Sequence, residues 1–564
     1  MTPLARLAAA AGGPVLVLHD HDSGDATTGL VADGHEVLPL DGDPPANRRW
    51  GAVVLVVADR SALRAAVTSV PDVGESASVA CLLTRDRHPV HLAPAPEWPR
   101  IVDLEARRLA AGGVLTRVAL ETPMPAEAVL RRLAQLAVPA RSVPAPATAP
   151  RRGMVAEDGL GPLDEGVFNP IGFDPEPTRD VAELRVDGPA GLRLDGVAEL
   201  DGVDLTAGAA SHAVSDLRAH RGVRVRWTGA TPELTRTVAE LAMAGIPLVD
   251  DHGDPPPAAS RQLLGEELHA ALTAATDLGD PLRREEHSIG LRRAALLTHS
   301  RPAWRQRAAT AAGRRSRRFP TCSVVLATRR PEQLDFALRQ VVRQRGVDLE
   351  VVLVAHGFEP DPGRVRGVLG DVPKQVLSRS GDELFGDVLT AGVRASSGDV
   401  VIKMDDDDWY GRDFLLDLML AREYSGADIV GAPAEMVYLD ELHRTVRGRA
   451  PSDRSERFAR FVAGGSLCLP RELLDAVGGF RPVRRFVDHQ LLQAALGAGA
   501  TVYRGHGLGY LLHRRAEGHT WHADADFFLA GDRVSQQWDG FAPSRLLEVE
   551  AADVPLGPSG ASRP

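Results

Sequence analysis

Short apolar runs alternate with helical patterns along most of the chain, and that alternation narrows the fold more than any other feature. Between residues 14 and 137, "PVLVL", "AVVLVVAD", "SVACLLT" and "GGVLTRVAL" read as strands, and "SALRAAVTSV" and "MPAEAVLRRLAQLA" as helices. Strand and helix in alternation imply a parallel sheet covered by helices. The pattern resumes with the strands "VAELRV", "GVRVRW" and "IPLVDD" and the helix "TPELTRTVAELAMAG", which has Thr231 as N-cap and Pro232 at its first position. Long helical patterns then run to about residue 312. From residue 320 the alternation is clearest. "CSVVLAT", "LEVVLVA" and "DVVIKM" are strands, and "RPEQLDFALRQVVRQRG", starting at Pro331, and "ELFGDVLTAGVRASSG" are helices.

A chain of 564 residues exceeds one hydrophobic core. The expected divisions are an α/β domain over 1–137, a Pro/Gly-rich linker over 138–180, a second α/β unit over 181–312, a basic connector over 313–319, a third domain over 320–535 and a tail over 536–564. The linker opens with "VPARSVPAPATAP", which is extended and stiff, and the tail closes with a disordered "GPSGASRP".

The balance of 65 basic and 76 acidic residues, net −11, argues against a general nucleic-acid binder. Cys81, Cys322 and Cys468 lie far apart, with neither metal spacing nor a disulfide framework, as suits a reducing cytoplasm. No stretch approaches the ~18 apolar residues of a membrane span. At the start, Arg6 is the only cationic lead and Gly12-Gly13-Pro14 breaks the apolar run, so helix, turn and strand are expected there rather than an export signal. The connector "AAGRRSRRFP" reads as a solvated linker. Its functional alternative is peripheral contact with an anionic inner-membrane surface, at about 1 kcal/mol per charge.

The stretch "DVVIKMDDDDWYGRDFL" sets four aspartates where an apolar strand stops. In open α/β sheets, ligands bind beyond the carboxyl ends of the strands. Extended backbone sends successive side chains to opposite sides, which puts Asp405 and Asp407 on one face. Neighbouring carboxylates repel by several kcal/mol at intermediate dielectric, and a divalent cation reverses that sign. Mg²⁺ or Mn²⁺ takes one or two carboxylates plus substrate phosphates. The bland alternatives are a solvated acidic turn or a cap on the helix "RDFLLDLMLAREY".

Residues 320 to about 530 resemble a family 2 glycosyltransferase of the GT-A fold. Three stretches carry the resemblance in order: "SVVLATRRP", "SSGDVVIKMDDDDWYG" and "GGSLCLPRELLDAVGGFRPVRRFVDHQLLQAALGAGATVYR". The implied fold is α/β, a Rossmann-like nucleotide-diphospho-sugar transferase domain preceded by Rossmann-like units. The resemblance implies that Asp405 and Asp406 contact the ribose or phosphate side of a nucleotide-sugar donor. It implies that Asp407, with Asp405, binds the Mg²⁺ or Mn²⁺ that bridges the diphosphate. Asp488 falls at the family's base position; its alternative is a helix N-terminal carboxylate favoured by the macrodipole. In "YLLHRRAEGHTWH", His513 is the expected metal ligand or phosphate donor, with His519 in reserve. Trp409 and Trp521 suit a sugar pocket or simple packing. Gly464 and Gly465 suit close approach to the donor sugar, or a tight turn.

One departure stands out. The family's second strand usually ends in Asp-Asp-Gly-Ser, and here "VLVAHGFEP" puts Ala355 and His356 there. Recognition of the base then falls to Thr328, Arg329, His356 or backbone groups. Further forward, "ELAMAGIPLVDD" and the helices after it resemble the nucleotide-sugar half of a GT-B glycosyltransferase, with Glu240 as candidate ribose ligand. The expected function is metal-dependent, inverting transfer of a sugar to a glycan, lipid-linked or cell-wall precursor acceptor. A non-catalytic scaffold or glycan-binding protein is the alternative. Nucleotidyl transfer is disfavoured, because no Gly-rich, Lys- or Arg-bearing loop follows the first strand.

Overall fold

The computed structural model describes residues 11–20, 35–40, 48–67, 73–86, 98–109, 113–136, 160–187, 191–197, 211–250, 255–448, 454–498, 500–515, 525–531 and 533–555, with isolated positions between them. The chain divides into two compact units, Met1–Ala308 and Ala309–Pro564.

Unit 1 holds two sheets. The first contains β1 (Val15–His19), β2 (Glu36–Pro39), β3 (Ala52–Val57), β4 (Glu75–Leu83), β5 (Ile101–Arg108) and β6 (Val114–Pro125), in the order β2-β1-β3-β4-β6-β5. Strands β2, β1, β3 and β4 are parallel, as alternation with helices predicts, and β6 returns antiparallel to β4 and β5. β1 and β3 are almost wholly buried and read as continuous apolar runs, the mark of a strand covered on both faces. Helices α1 (Arg60–Ala66) and α2 (Ala126–Leu136) belong to this part.

The second sheet contains β7 (Ala182–Asp187), β8 (Gly191–Asp195), β9 (Val223–Val225) and β10 (Leu248–Asp250), in the order β10-β9-β7-β8. Among its helices α3 (Ser211–Leu217) and α4 (Pro232–Met243), the latter starts as expected, with the Thr231 hydroxyl accepting from Leu234 N–H. The expected linker is in part packed: Leu163 is buried and pairs with Ser300, and Glu165 accepts from Arg301. Residues 138–159 lie outside the described residues.

Unit 2 is built on an eight-stranded sheet. Its strands are β11 (Cys322–Thr328), β12 (Leu349–His356), β13 (Lys374–Arg379), β14 (Val400–Met404), β16 (Ile429–Gly431), β19 (Arg457–Phe458), β20 (Cys468–Pro470) and β21 (Val502–Arg504). Their order is β13-β12-β11-β14-β20-β16-β21-β19. The first four are parallel. Chain order runs outward from β11 through β12 to β13, then returns to β14 on the other side of β11. The sheet therefore has a topological switch point between β11 and β14, where the loops leaving the two strands diverge and open a crevice.

A second sheet of unit 2 joins β15 (Trp409–Tyr410), β17 (Met436–Leu439), β18 (Arg444–Gly448), β22 (Tyr510–Arg514) and β23 (Val534–Asp539), in the order β15-β22-β17-β18-β23. β15 follows β14 after four residues, so the acidic run lies where the chain passes from one sheet to the other. Its helices include α5 (Leu334–Val342), α6 (Pro362–Leu369), α7 (Phe385–Ala395), α8 (Phe414–Ser425), α9 (Arg471–Val477) and α10 (Val487–Gly497). One core cluster packs Val325, Val352, Val354 and Val401 of the sheet against Val388 and Leu389 of α7 and Leu491 and Leu492 of α10. Each such buried side chain contributes about 1.5–3 kcal/mol.

Two expectations are corrected. α5 begins at Leu334, not at Pro331: Gln333 N–H closes a tighter turn on Arg330 O, three residues back, before the α-helical pattern starts. Residues 536–555 are not a loose tail, because β23 pairs with β18 and Asp553 is buried on α5, while "GPSGASRP" lies outside the described residues.

At the start of α7, a Cβ on Gly386 would stand 1.7 Å from Arg481 O and 2.6 Å from its carbonyl carbon. Both obstacles are backbone, so Gly386→Ala is expected to lower stability by about 1–3 kcal/mol. Gly367→Ala on α6, which meets nothing within 4 Å, should instead gain up to about 1 kcal/mol. Denaturant midpoints of the two variants check the contrast.

Candidate functional site

The residues that end β11 and β14 meet at the switch point. Thr328 closes β11, and its hydroxyl donates to Asp406. Arg330 follows, and its Nη1 reaches Asp406 at 3.1 Å and Asp407 at 2.5 Å. The aspartates do not continue as a strand: the chain bends over residues 406–408. Alternation therefore fails there. Asp405 and Asp407 do not share a partner; Asp406 and Asp407 converge on Arg330. Asp408 turns inward, accepting from Tyr510 Oη at 2.6 Å and from His513 N–H at 2.8 Å.

Asp405 faces the other way, toward Lys403. This lysine is the one polar side chain of the strand "VVIKM", and only 3% of it is exposed. Its Nζ donates to Asp405 Oδ1 at 2.6 Å and to Gly464 O at 3.2 Å, and lies 3.4 Å from Asp488 Oδ1. Burial opposes the charge on Lys403, but Asp405 and Asp488 outweigh it and hold its pKa above the ordinary lysine value. Asp488 stands in the first turn of α10, and burial raises its pKa against the pull of Lys403, with Asp405 adding to the rise. Its Oδ1 is buried without a hydrogen-bond partner.

Gly464 and Gly465 form a single 3₁₀ turn over these groups. A Cβ on Gly464 would lie 2.1 Å from Asp488 Oδ2, and one on Gly465 2.8 Å from Asp405 Oδ2. Only glycine lets the backbone come so near both carboxylates. Tyr410 locks the turn by donating to Gly465 O at 2.9 Å, while its oxygen accepts from Asp405 N–H at 2.9 Å.

Burial and crowding shift the acids. Asp406 is pushed up to about 6, by burial first and then by Asp407, against Arg330 and Thr328. Asp408 is raised well above the usual carboxylate range by burial and by Asp407 and Asp405. His513 is lowered to about 4, chiefly by burial and then by Arg515, so its ring is neutral at pH 7. The His513 ring lies 4.7 Å from that of Trp409, and its buried Nε2 makes no hydrogen bond but lies 3.9 Å from Asp440 Oδ1. At the end of β12, His356 Nδ1 accepts from Arg329 Nε at 2.9 Å, and burial and then Arg329 keep the ring below its usual pKa.

Thr328, Asp405, Asp406, Asp407, Gly464, Gly465, Asp488 and His513 are thus brought together near the ends of β11 and β14, with Arg329 and His356 paired at the end of β12. Trp521 and His519 lie outside the described residues. Trp409 is packed between Phe336, Tyr438, Phe541 and His513, and its Nε1 donates to Asp553 O, so packing is its observed role. Sequence reasoning missed Arg330, Lys403, Tyr410 and Tyr510. A lysine inside an apolar strand was the legible signal for Lys403.

The donor set, clustered carboxylates beside a neutral imidazole, suits a hard divalent cation. Among the described residues no three His, Cys, Asp or Glu side chains stand close enough to hold a metal by themselves, so such an ion would complete its shell with substrate oxygens.

Carboxylates at the switch point of a parallel sheet stand where open α/β sheets bind their ligands. Residues 323–492 match the model of glycosyl transferase family 2, and the chain carries a glycosyltransferase domain of the GT-A fold. Among solved structures, residues 1–349 of S. aureus TarS, in complex with UDP-GlcNAc, are similar at 17% identity and TM-score 0.30, over 37% of this chain and 64% of that one. The mannosyltransferase PcManGT from Pyrobaculum calidifontis, in complex with GDP-Man and Mn²⁺, is similar at 16% identity and TM-score 0.28, over 38% of this chain and 66% of that one. The match spans less than two thirds of either structure. A comparison with curated proteins finds no match. Among the described residues, no helix is long and apolar enough to cross a membrane.

Lys403→Met leaves Asp405 and Asp488 facing each other with no cation between them. Breaking a buried pair in this way is expected to cost about 3 kcal/mol or more, and adding Asp488→Asn should recover part of it. Urea denaturation of the single and double variants decides; an unchanged midpoint for Lys403→Met would refute the structural role of the bridge.

Proposed function

We propose that unit 2 moves a sugar from a nucleotide-diphosphate donor to a hydroxyl of a glycan, lipid-linked or cell-wall precursor acceptor, with inversion, on the cytoplasmic side. The observation that carries this reading is the Lys403 bridge, which fastens Asp405 beside Asp488 under the Gly464-Gly465 turn. One carboxylate faces the donor and the other the acceptor.

Asp488 takes the proton of the acceptor hydroxyl as that oxygen attacks the anomeric carbon. The bond from that carbon to the diphosphate oxygen breaks, and the nucleoside diphosphate leaves with the electron pair. A single displacement inverts the centre. Burial raises the Asp488 pKa, which makes it a stronger base than a solvated aspartate. Its Oδ1, which makes no hydrogen bond, is the atom able to receive the proton. Asp405, Asp406 and Arg330 orient the ribose and phosphates, and Gly464 and Gly465 let the donor sugar approach. Thr328, Arg329 and His356 hold the base. Asp405, Asp407 and His513 would hold Mg²⁺ or Mn²⁺, which supplies Lewis-acid neutralisation of the leaving diphosphate.

A second reading, a non-catalytic glycan-binding scaffold, draws on Ala355 and His356, which occupy the strand end where an acidic pair is expected. Unit 1 is read as a degenerate transferase kept for acceptor or partner binding, with a second active transferase as its alternative. Its Glu240 is buried, accepts from Ala209 N–H at 2.6 Å and is pushed up to about 7 by burial.

Purified protein incubated with Mn²⁺ or Mg²⁺ and a panel of nucleotide sugars should release nucleoside diphosphate. Asp407→Ala should abolish the release, and Asp488→Asn should cut it about 10²–10⁴-fold with donor affinity kept. The acid limb of kcat/KM should lie above the ordinary aspartate range. Sugar binding without metal or turnover would instead favour the scaffold.

A further inference from the structure

The loop between α9 and α10 presents unsatisfied groups beside Asp488. It is anchored at Val483, whose carbonyl accepts from Gly386 N–H at 3.2 Å and whose side chain packs on the core cluster. Beyond that anchor, Arg484, Arg485 and Phe486 are all exposed. Phe486 is 62% exposed, the most of any large apolar side chain among the described residues. It also adopts φ +61° and ψ 25°, left-handed backbone, at the N-cap of α10, and makes no side-chain cap. Glycine, Asn or Asp would relieve the strain, and Ser, Thr, Asp or Asn would cap the helix. Phenylalanine does neither and hides little surface. A residue that breaks two local rules, two positions before the proposed base, points to function rather than stability.

A second ring stands nearby. Phe461 is 44% exposed and comes three residues before Gly464, whose backbone lies against the Asp488 carboxylate. The residue after each ring, Val462 and Val487, is buried in the same core cluster. Each ring thus lies close in sequence to the Asp488 carboxylate, Phe486 two residues before it and Phe461 three residues before the glycine packed on it. Among the described residues Arg484 and Arg485 make no hydrogen bond or ion pair. In a chain of net charge −11, such a pair is an uncompensated positive spot.

We infer that this patch binds the acceptor, and that the acceptor is a saccharide carrying an anionic group, carboxylate or phosphate. The inference rests on the transfer reading above. Aromatic faces cover the apolar face of a sugar ring, and arginine forks take carboxylate or phosphate bidentately. The positive pair also offsets the repulsion that the five aspartates of the crevice exert on an anionic substrate.

The test uses the full chain with Mn²⁺ and nucleoside diphosphate. Four probes are titrated by calorimetry: a galacturonic acid oligosaccharide, a phosphodiester-linked oligosaccharide, a neutral malto-oligosaccharide of equal length, and phosphatidylglycerol vesicles. At least one anionic saccharide should bind tenfold or more tighter than the neutral one, and the stronger of the two identifies the anion. Arg484→Ala with Arg485→Ala should remove that preference and its salt dependence. Phe486→Ala and Phe486→Gly should weaken both saccharide classes fivefold or more; the glycine variant relieves the strain, so an equal loss assigns the effect to the ring. Equal affinity for charged and neutral saccharides, or unchanged binding in the variants, overturns the inference. Binding to vesicles that depends on these residues, with no saccharide preference, overturns it too and assigns the patch to a membrane surface. Nucleoside diphosphate and Mn²⁺ binding, measured on the same samples, tests the transfer reading separately.

Discussion

Five carboxylates stand beyond the ends of two adjacent parallel strands, and the rest of the site depends on how their charge is divided. At 4 Å and an intermediate dielectric, each close pair would repel by about 4 kcal/mol. The fold answers with separate partners. Lys403 takes Asp405 and Asp488, Arg330 takes Asp406 and Asp407, and the Tyr510 hydroxyl with the His513 amide takes Asp408. Each partner comes from a different part of the chain, so the charges can be neutralised only when β11, β14, α10 and β22 are all in place. The acid cluster is therefore a product of the tertiary fold and cannot exist as a local motif. Dipoles and charges held this way need no reorganisation when substrate charge develops, which is where electrostatic catalysis gets its strength.

The two cations are not equivalent. Lys403 is buried inside the strand and is bound to stay, since its three donors are spent on Asp405, Gly464 and Asp488. It ties the end of β14 to the start of α10 through Asp405 and Asp488. Arg330 lies on the loop after β11 and remains about a quarter exposed, with its guanidinium at the mouth of the crevice. A planar fork in that position matches phosphate as well as carboxylate. The buried cation thus fixes the geometry, while the partly exposed one joins Asp406 to Asp407.

Much of this was legible in the sequence. β1, β3, β11, β12 and β14 were visible because strands covered on both faces must be apolar throughout. β2, β5, β8 and β13 escaped because they lie at sheet edges, where polar residues are tolerated. β5, for example, places Asp103 and Glu105 against Arg117 of β6. The acidic run was located correctly as a strand end, yet its side chains were misassigned. Alternation holds only for extended backbone, and the pull of Thr328 and Arg330 on one side, and of Tyr510 on the other, goes with a bent chain. Such partners lie tens of residues away or more, beyond the reach of any periodicity. Lys403 was the exception, since a lone lysine in "VVIKM" can survive burial only against carboxylates.

The segment after residue 540 shows how far support for the site extends. Asp553 accepts from Arg339 Nη2 at 2.6 Å and Gln340 Nε2 at 2.9 Å, and its carbonyl accepts from Trp409 Nε1 at 2.8 Å. Gln340 in turn accepts from Tyr410 N–H at 3.2 Å. Trp409 and Tyr410 directly follow the aspartates, and Tyr410 holds both Asp405 and the Gly465 turn. One buried carboxylate near the end of the chain therefore braces, through α5, the dipeptide that sets the acids in place. Nothing in "AADVP" marks it for that task, because an aspartate in a polar stretch is ordinary until its partners are known. A domain cut at 535 would keep every residue assigned a chemical role and lose the contacts that aim them.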